Sequence, residues 1–537
     1  MNGVKHQLLG VFVWACLIVF CVSCASSSPQ QQASKEIRFV LRAEPLTLDP
    51  RLGGTTISQL MIFQLFEGLT RYDPSGDPQL AIAEAIDISD DLTTYTFHLR
   101  PSKWSNGEEL TAMDFEYAWK SIVCPSLGSQ YADSFFVIRN AKKAFKNECS
   151  IDDVGIRCLD KQTLQVTLEH PTPYFLEWTS NPLYAPVYQP IAKTTDHWAR
   201  DVFPTYVSNG PYSIEEHRYG SHIVFKKNPL YWNAKDCAKT DCLRFLIVED
   251  PVTAYNMFMA GDIDWYGAPF SVFTPPEVLT RLEDEGLLRS QTMATTLRID
   301  CCVSKPHLAS SKIRRALACA INRKDLVSNF LIGGDVPATS LVSESLSLLP
   351  APQFDDGNDE MAKRLFEEGC AELGYTMNTY PGLVLTAKPR SKALAEIIAE
   401  RIHRVLGIDV RAEICELQIF RQKVASLDVE LAIDSLSSSI RDQTYDLGWF
   451  KYKEARLTST NWESSEFKRL LDMADVTQDV KSRTELLRQA EIVLLQEMPA
   501  IPLMYEADKY AKSAHIVGEH FLPVGLPELK RFEKVGL

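Results

Sequence analysis

The sequence predicts an α/β protein with two α/β lobes around a ligand cleft, and three observations carry that expectation. The chain has 537 residues, more than a single hydrophobic core usually serves. Leu383 to Thr386, the helical run Ser391 to Leu406 and Ile408 to Ile414 read as a βαβ unit, with Leu394, Ile397, Ile398, Ile402 and Val405 on one helix face and Gly407 ending it. Near Met293 the texture changes from short strands and turns to longer helices. That change implies separate lobes, and a cleft between lobes is the default ligand site.

Taken in order, the chain opens with Lys5 and an uncharged, mostly apolar run from Leu8 to Val22. The run is shorter than a spanning helix of about 20 residues and suits a signal-peptide core. Cys24 follows Ser23 at its end in a pattern that resembles the bacterial lipobox, with Cys21 where Leu is usual. Two readings stand, lipid on Cys24 or an ordinary secretory leader cut nearby, and both export the protein. Residues 25–34 are polar and have nothing to bury, so they should form a flexible tether reaching at most about 35 Å.

The formal net charge is −14 with no basic stripe, which argues against a nucleic-acid partner because phosphate neutralisation needs clustered Lys and Arg. Thirteen cysteines fit an oxidising compartment better than the cytosol. Cys149 with Cys158, and Cys237 with Cys242, flank short turn-rich loops, so each pair could close a local disulfide. Cys301 and Cys302 lie near His307, but adjacent strand residues point to opposite faces and make a poor metal site. No metal and no cofactor is expected.

Glu36 to Leu41 reads as a strand, and Gly53-Gly54-Thr55-Thr56 opens a helix carrying Leu60, Phe63, Leu65 and Phe66 toward a core. Tyr95 to Leu99 and Thr163 to Leu168 alternate apolar and polar residues as half-buried strands do. Ser105-Asn106-Gly107 is a turn, and Thr111 with Asp114 three residues on makes an acidic variant of the capping box. Val207 to Tyr212 turns into a strand whose hairpin partner is Ile223 to Lys226; Arg244 to Val248 is a further strand, and Ala254 to Ala260 is a helix capped by Gly261.

Eight segments then add up to a family: Glu44-Pro-Leu-Thr-Leu-Asp-Pro50, Leu65-Phe-Glu-Gly-Leu69, Phe97-His-Leu-Arg100, Trp104-Ser-Asn-Gly107, Thr111-Ala-Met-Asp-Phe115, Ser208-Asn-Gly-Pro-Tyr212, Asn228-Pro-Leu-Tyr-Trp232 and Gly261-Asp-Ile-Asp264. Together they resemble the extracytoplasmic oligopeptide-binding proteins of ABC importers, in that family's order, from Glu36 to about Tyr510. The resemblance implies a periplasmic-binding-protein-like fold of the three-domain, cluster C type, with an extra smaller domain beside the two lobes. After a signal peptide at 1–23 and a tether at 24–35, lobe I would hold residues 36–64, 201–292 and 505–537. The smaller inserted domain would be 65–200 and lobe II 293–504. The implied partners are an oligopeptide ligand, an ABC permease complex in the inner membrane, and the membrane itself through lipid on Cys24; the implied state is a monomer and the implied role non-enzymatic.

In that family the peptide lies as an added strand between the lobes, held by backbone hydrogen bonds that are blind to side chains. By resemblance, Gly54, Thr55 and Thr56 present backbone to the peptide, Tyr131 is a pocket aromatic, and Trp265, Tyr266 and Gly267 form a cleft-lining loop. The family's Asp for the peptide's α-ammonium group is replaced by Ser439. Either Asp442 or Asp434 substitutes for it, or the ligand lacks a free amino terminus. A muropeptide is one such ligand, and haem, metal chelates and sugars serve other relatives. Arg298 sits on a strand where relatives often carry an aromatic residue, and is expected to face the cleft and receive a carboxylate. An exported hydrolase is the contrasting class, and neither Gly-x-Ser-x-Gly nor His-Glu-x-x-His occurs.

Overall fold

In a computed structural model of the chain, the described residues are 36–194, 198–199, 205–233, 238–271, 274–453, 458–522 and 524–536. The leader, Cys24, the tether and Cys237 lie outside them. Three larger sheets organise what is described. The first runs in the order Glu36–Leu41, Cys242–Ile247, His222–Lys227, Tyr212–Arg218. Its first two strands are parallel and the rest antiparallel. Ile37, Phe39, Leu41, Leu243 and Phe245 alternate into one fully buried face, the period of two that a one-sided sheet requires.

The second sheet is antiparallel, in the order Ala83–Ile88, Thr94–Leu99, Thr163–Thr167, Ile156–Asp160. The alternation of Tyr95, Phe97 and Leu99 and of Leu164 and Val166 puts all five in the core. The helix Ala112–Val123 shares that core through Phe115, Trp119 and Ile122. It starts where the capping pattern says: the Thr111 N–H donates to Asp114 Oδ2 at 2.9 Å, and Trp104 Nε1 donates to the same oxygen at 3.4 Å. The tryptophan turn and the capped helix are therefore one knot.

The third sheet runs Trp265–Gly267, Ala500–Lys512, Arg289–Cys301, Leu431–Ser437, Leu383–Ala387, Val410–Ile414, with Val336–Pro337 against the second of these. The βαβ unit is present: Leu383–Ala387 pairs in parallel with Val410–Ile414 through the helix Lys392–Leu406, which Gly407 ends in the left-handed conformation. Two strands dominate. Arg289–Cys301 and Ala500–Lys512 are each 13 residues long and antiparallel, and their ladder breaks between Thr292 and Thr296. A bulge of this kind bends and twists a strand.

Several of the quoted motifs are joints. Asn209 receives the Glu67 N–H at 3.1 Å and donates to the Glu67 carbonyl at 2.9 Å, while the Glu67 carboxylate takes the Tyr231 hydroxyl and Trp232 Nε1. A Cβ on Gly210 would lie 2.4 Å from the Leu65 carbonyl carbon, so only glycine permits that approach. Asp264 takes Arg38 at 3.0 Å and Lys534 at 2.9 Å; burial alone would raise its pKa, and these cations hold it below the ordinary range.

One expectation fails. Cys149 and Cys158 are both free thiols: Cys149 Sγ faces the Asn140 carbonyl at 3.7 Å and Cys158 Sγ the Asp160 carbonyl at 3.0 Å. Cys242 leans on Glu36 Oε2 at 3.3 Å.

Candidate functional site

A cavity of about 200 Å³ opens beside the third sheet, where Met293, Thr295 and Ser437 line it. Its wall comes from the start of the helix Thr56–Leu65, the turn around Tyr131 and Ser134, the segment from Trp178 to Leu183, the bulge at Met293 and Thr295, the run Ser437-Ser438-Ser439, Tyr445, and the loop Val524–Leu526. None of these described wall residues carries a charge at neutral pH. Hydroxyls, amides and aromatic rings make a surface that hydrogen-bonds without selecting for charge.

Each wall residue has a local cause. Thr55 caps the helix Thr56–Leu65 by accepting the Ser58 N–H at 3.2 Å, which leaves Gly53 and Gly54 ahead of it in the cavity approach. The Tyr131 hydroxyl donates to the Gly54 carbonyl at 3.0 Å, and a Cβ on Gly54 would stand 2.7 Å from that hydroxyl. Ser439 is held from two sides, and one of its partners is braced in turn. Its Oγ donates to the Tyr445 hydroxyl at 3.0 Å, its carbonyl accepts from Asn181 Nδ2 at 3.1 Å, and Trp178 meets Tyr445 edge to face at 5.8 Å. Behind the wall, Ser438 Oγ donates to Asp446 at 2.5 Å, and burial pushes that carboxyl up to about 7.

Of the residues expected from sequence, Thr56, Tyr131 and Ser439 line the cavity, and Gly54 and Thr55 flank it. The others are elsewhere. Arg298 does not face the cleft: it is fully buried, pairs with Asp300 at 2.7 Å and lies against the rings of Trp449 and Phe450. A guanidinium needs a carboxylate when it leaves water, and Asp300 two residues along the strand supplies it. Trp265 and Tyr266 are core, with Trp265 stacked on Tyr510 at 4.3 Å. Gly267 belongs to that same strand, where a Cβ would lie 2.6 Å from the Lys509 carbonyl. Asp442 caps a helix and receives both Arg483 Nη atoms at 2.8 Å, and Asp434 receives Lys388 Nζ at 2.5 Å. Neither is available as the substitute acid.

Sequence reading missed Trp178, Asn181, Met293, Thr295 and Tyr445, none of which lies in the motifs quoted above. The run Ser437-Ser438-Ser439 was the nearest signal. The cavity is also bridged at its edge. Arg441 Nη1 donates to the Ser75 carbonyl at 2.9 Å and to Asp77 at 2.8 Å. The Glu177 carboxyl approaches the Arg441 backbone N–H, and its buried Oε2 has no hydrogen-bond partner; burial pushes it up to about 7.

Comparison with known proteins fits this geometry. Residues 77–456 match the family of bacterial extracellular solute-binding proteins, family 5 Middle, and the chain belongs to that family. Its members are substrate-binding proteins of the multi-domain periplasmic type rather than enzymes. The chain is 32% identical over 485 residues to the oligopeptide-binding protein OppA of Bacillus subtilis strain 168, covering 89% of each. Among solved structures it is similar to Burkholderia pseudomallei OppA, with a TM-score of 0.77, 25% identity, and 94% of this chain and 100% of that one covered. The fold is likewise that of the Escherichia coli murein tripeptide binding protein MppA, with a TM-score of 0.78 at 21% identity over 94% of this chain and 99% of that one.

Proposed function

We propose that this chain is the solute-binding lipoprotein of an ABC importer, which captures oligopeptides in the cavity and delivers them to a membrane permease. The observation that carries the reading is the wall itself: uncharged, rich in hydroxyl and amide groups, and assembled from segments far apart in the chain, from Pro50 to Leu526. Such a surface suits a peptide backbone added as a strand, with its side chains in hydrated space. The lobes would follow the boundaries expected from sequence, with the broken ladder between Thr292 and Thr296 as the hinge. The ligand shifts the population toward the closed form because it contacts both sides. Lipid on Cys24 would hold the folded body to a bacterial membrane, with residues 25–35 as the tether.

Native mass spectrometry of protein purified without denaturation tests the reading. Intact co-purifying peptides support it; peptide turnover, or a chromophore band from haem or a metal chelate, overturns it. A second reading, a ligand with a blocked amino end such as a muropeptide, is favoured by Ser439 and by the engagement of both Asp434 and Asp442.

A further inference from the structure

Beside the cavity runs a seam made wholly of protein groups, between the segment expected to form the inserted domain and the segment expected to form lobe II. Tyr174, Glu177, Trp178 and Asn181 follow one another at helical spacing, so they share one face. Each meets a residue from the other side. Tyr174 lies under the Arg483 guanidinium at 5.7 Å, Trp178 meets Tyr445, Asn181 donates to the Ser439 carbonyl, and Glu177 faces the Arg441 backbone N–H. Arg441 is itself tied across the seam to the Ser75 carbonyl and to Asp77. The loop that receives it is pinned by Asp73, whose Oδ1 accepts the N–H groups of Ser75 and Asp77 at 2.8 and 3.0 Å.

Glu177 is the one acid on that face, and the seam gives it no counter-charge. Its Oε2 is buried without a hydrogen-bond partner. From its own side the neighbours are the phenols of Tyr174 and Tyr72, the latter donating to the Glu177 carbonyl at 3.4 Å. From the other side come Arg441 and Asp442. Arg441 is engaged by Asp77, Asp442 by Arg483, and Asp475 further along by Lys451. Among the described residues none forms an ion pair with Glu177.

We propose that closure over the ligand is linked to a proton on Glu177: the seam accepts the neutral carboxyl and opposes the carboxylate, so capture tightens as the medium becomes acidic. The inference rests on the peptide reading above and gives that site its regulation. Parting the two sides about the strand break between Thr292 and Thr296 returns Glu177 to water, where its charge is solvated; closing strips that water away and supplies no cation. Burial in the closed arrangement lifts the carboxyl from 4.5 to about 7. As pH rises through that interval the closed form keeps a proton that the open form has lost, and closure weakens. Asp446 and Asp508 also keep protons up to about 7, but Asp446 faces Ser438 and Ser343 of its own side and Asp508 faces Glu506 and Lys509 of its own strand. Neither lies in the seam.

The test is the pH dependence of binding in the full chain, wild type against Glu177→Gln, which keeps an acceptor for the Arg441 N–H and carries no charge. The probe is a pool of tri- to pentapeptides with uncharged side chains, with bound and free fractions read by equilibrium dialysis at pH 5 and pH 8. Comparing the two proteins at the same pH cancels any titration of the peptides' own ends. The ratio of variant to wild-type affinity should grow by about 5- to 50-fold from pH 5 to pH 8, after allowance for the partial exposure of the group. Binding by the variant at pH 5 shows that it is folded, and Glu177→Leu, which is also uncharged, replaces it if that binding fails. A ratio that does not grow with pH overturns the inference while leaving peptide capture intact. If the wild type binds the pool at neither pH, the peptide reading falls and the inference with it.

Discussion

Glu177→Gln should make the protein more stable at pH 8 and change nothing at pH 3. Glu177 sits on the short helix Phe175–Thr179, facing the backbone of Arg441 across the edge of the cavity, with Oε2 buried and unpartnered. Burial lifts its pKa from 4.5 to about 7, assisted by the charge of Asp442. The carboxyl is protonated in both folded and unfolded states at low pH, so it has no differential effect there. As pH rises from the unfolded value through about 7, the folded state retains a proton that the unfolded state has lost, and stability declines. Above that range the penalty is complete. A shift of this size corresponds to about 3 kcal/mol at one pKa unit per 1.36 kcal/mol, and partial exposure reduces it to about 1–3 kcal/mol. Glutamine keeps an acceptor for the Arg441 N–H and carries no charge. Thermal melts of wild type and Glu177→Gln at pH 3 and pH 8 give the comparison, with the two proteins melting together at pH 3 and the variant higher at pH 8. An equal gap at both pH values, or none at pH 8, would refute the assignment of a buried, proton-retaining Glu177.

Arg298→Ala should cost about 3–5 kcal/mol in denaturant unfolding by leaving Asp300 buried without its cation, while a peptide that binds the wild type binds the variant with unchanged affinity if the variant is folded. Tyr131→Phe removes the hydrogen bond to the Gly54 carbonyl and should lower stability by about 0.5–1.5 kcal/mol, read in the same unfolding curves. Replacing Cys149 and Cys158 together by Ser should leave the melting temperature unchanged in the presence or absence of reductant, since the two thiols are not joined; a fall confined to oxidising conditions would show that they are.

The fold was legible wherever short-range chemistry decides it. Alternation placed Tyr95, Phe97 and Leu99, the capping pair placed Thr111 and Asp114, and Gly407 ended its helix. The site was legible only in part, because its wall joins residues far apart in sequence that no local rule connects. Ser439 stood out as a departure from a motif, yet Trp178, Asn181 and Tyr445, which hold it, look locally like ordinary core and turn residues. Arg298 shows the converse. A charge on a strand reads as a functional group until its neighbour Asp300 is seen to be buried with it.

The first sheet has a consequence for how the molecule is made. Its opening strand pairs with Cys242–Ile247, and the helix after it remains unfinished until much later: Gln64 donates to the Pro527 carbonyl at 3.1 Å and accepts the Leu529 N–H at 3.2 Å. Tyr510 and Phe532 complete the ring cluster around Trp265, and the Thr240 hydroxyl donates to the Phe532 carbonyl. The amino-terminal region is thus among the last to be completed, against the usual order in which domains fold as they are synthesised. A chain stalled before its last residues would leave Gln64 with only the Leu60 carbonyl for a partner and the aromatic cluster open. Such a polypeptide would stay unlocked until its tail arrives.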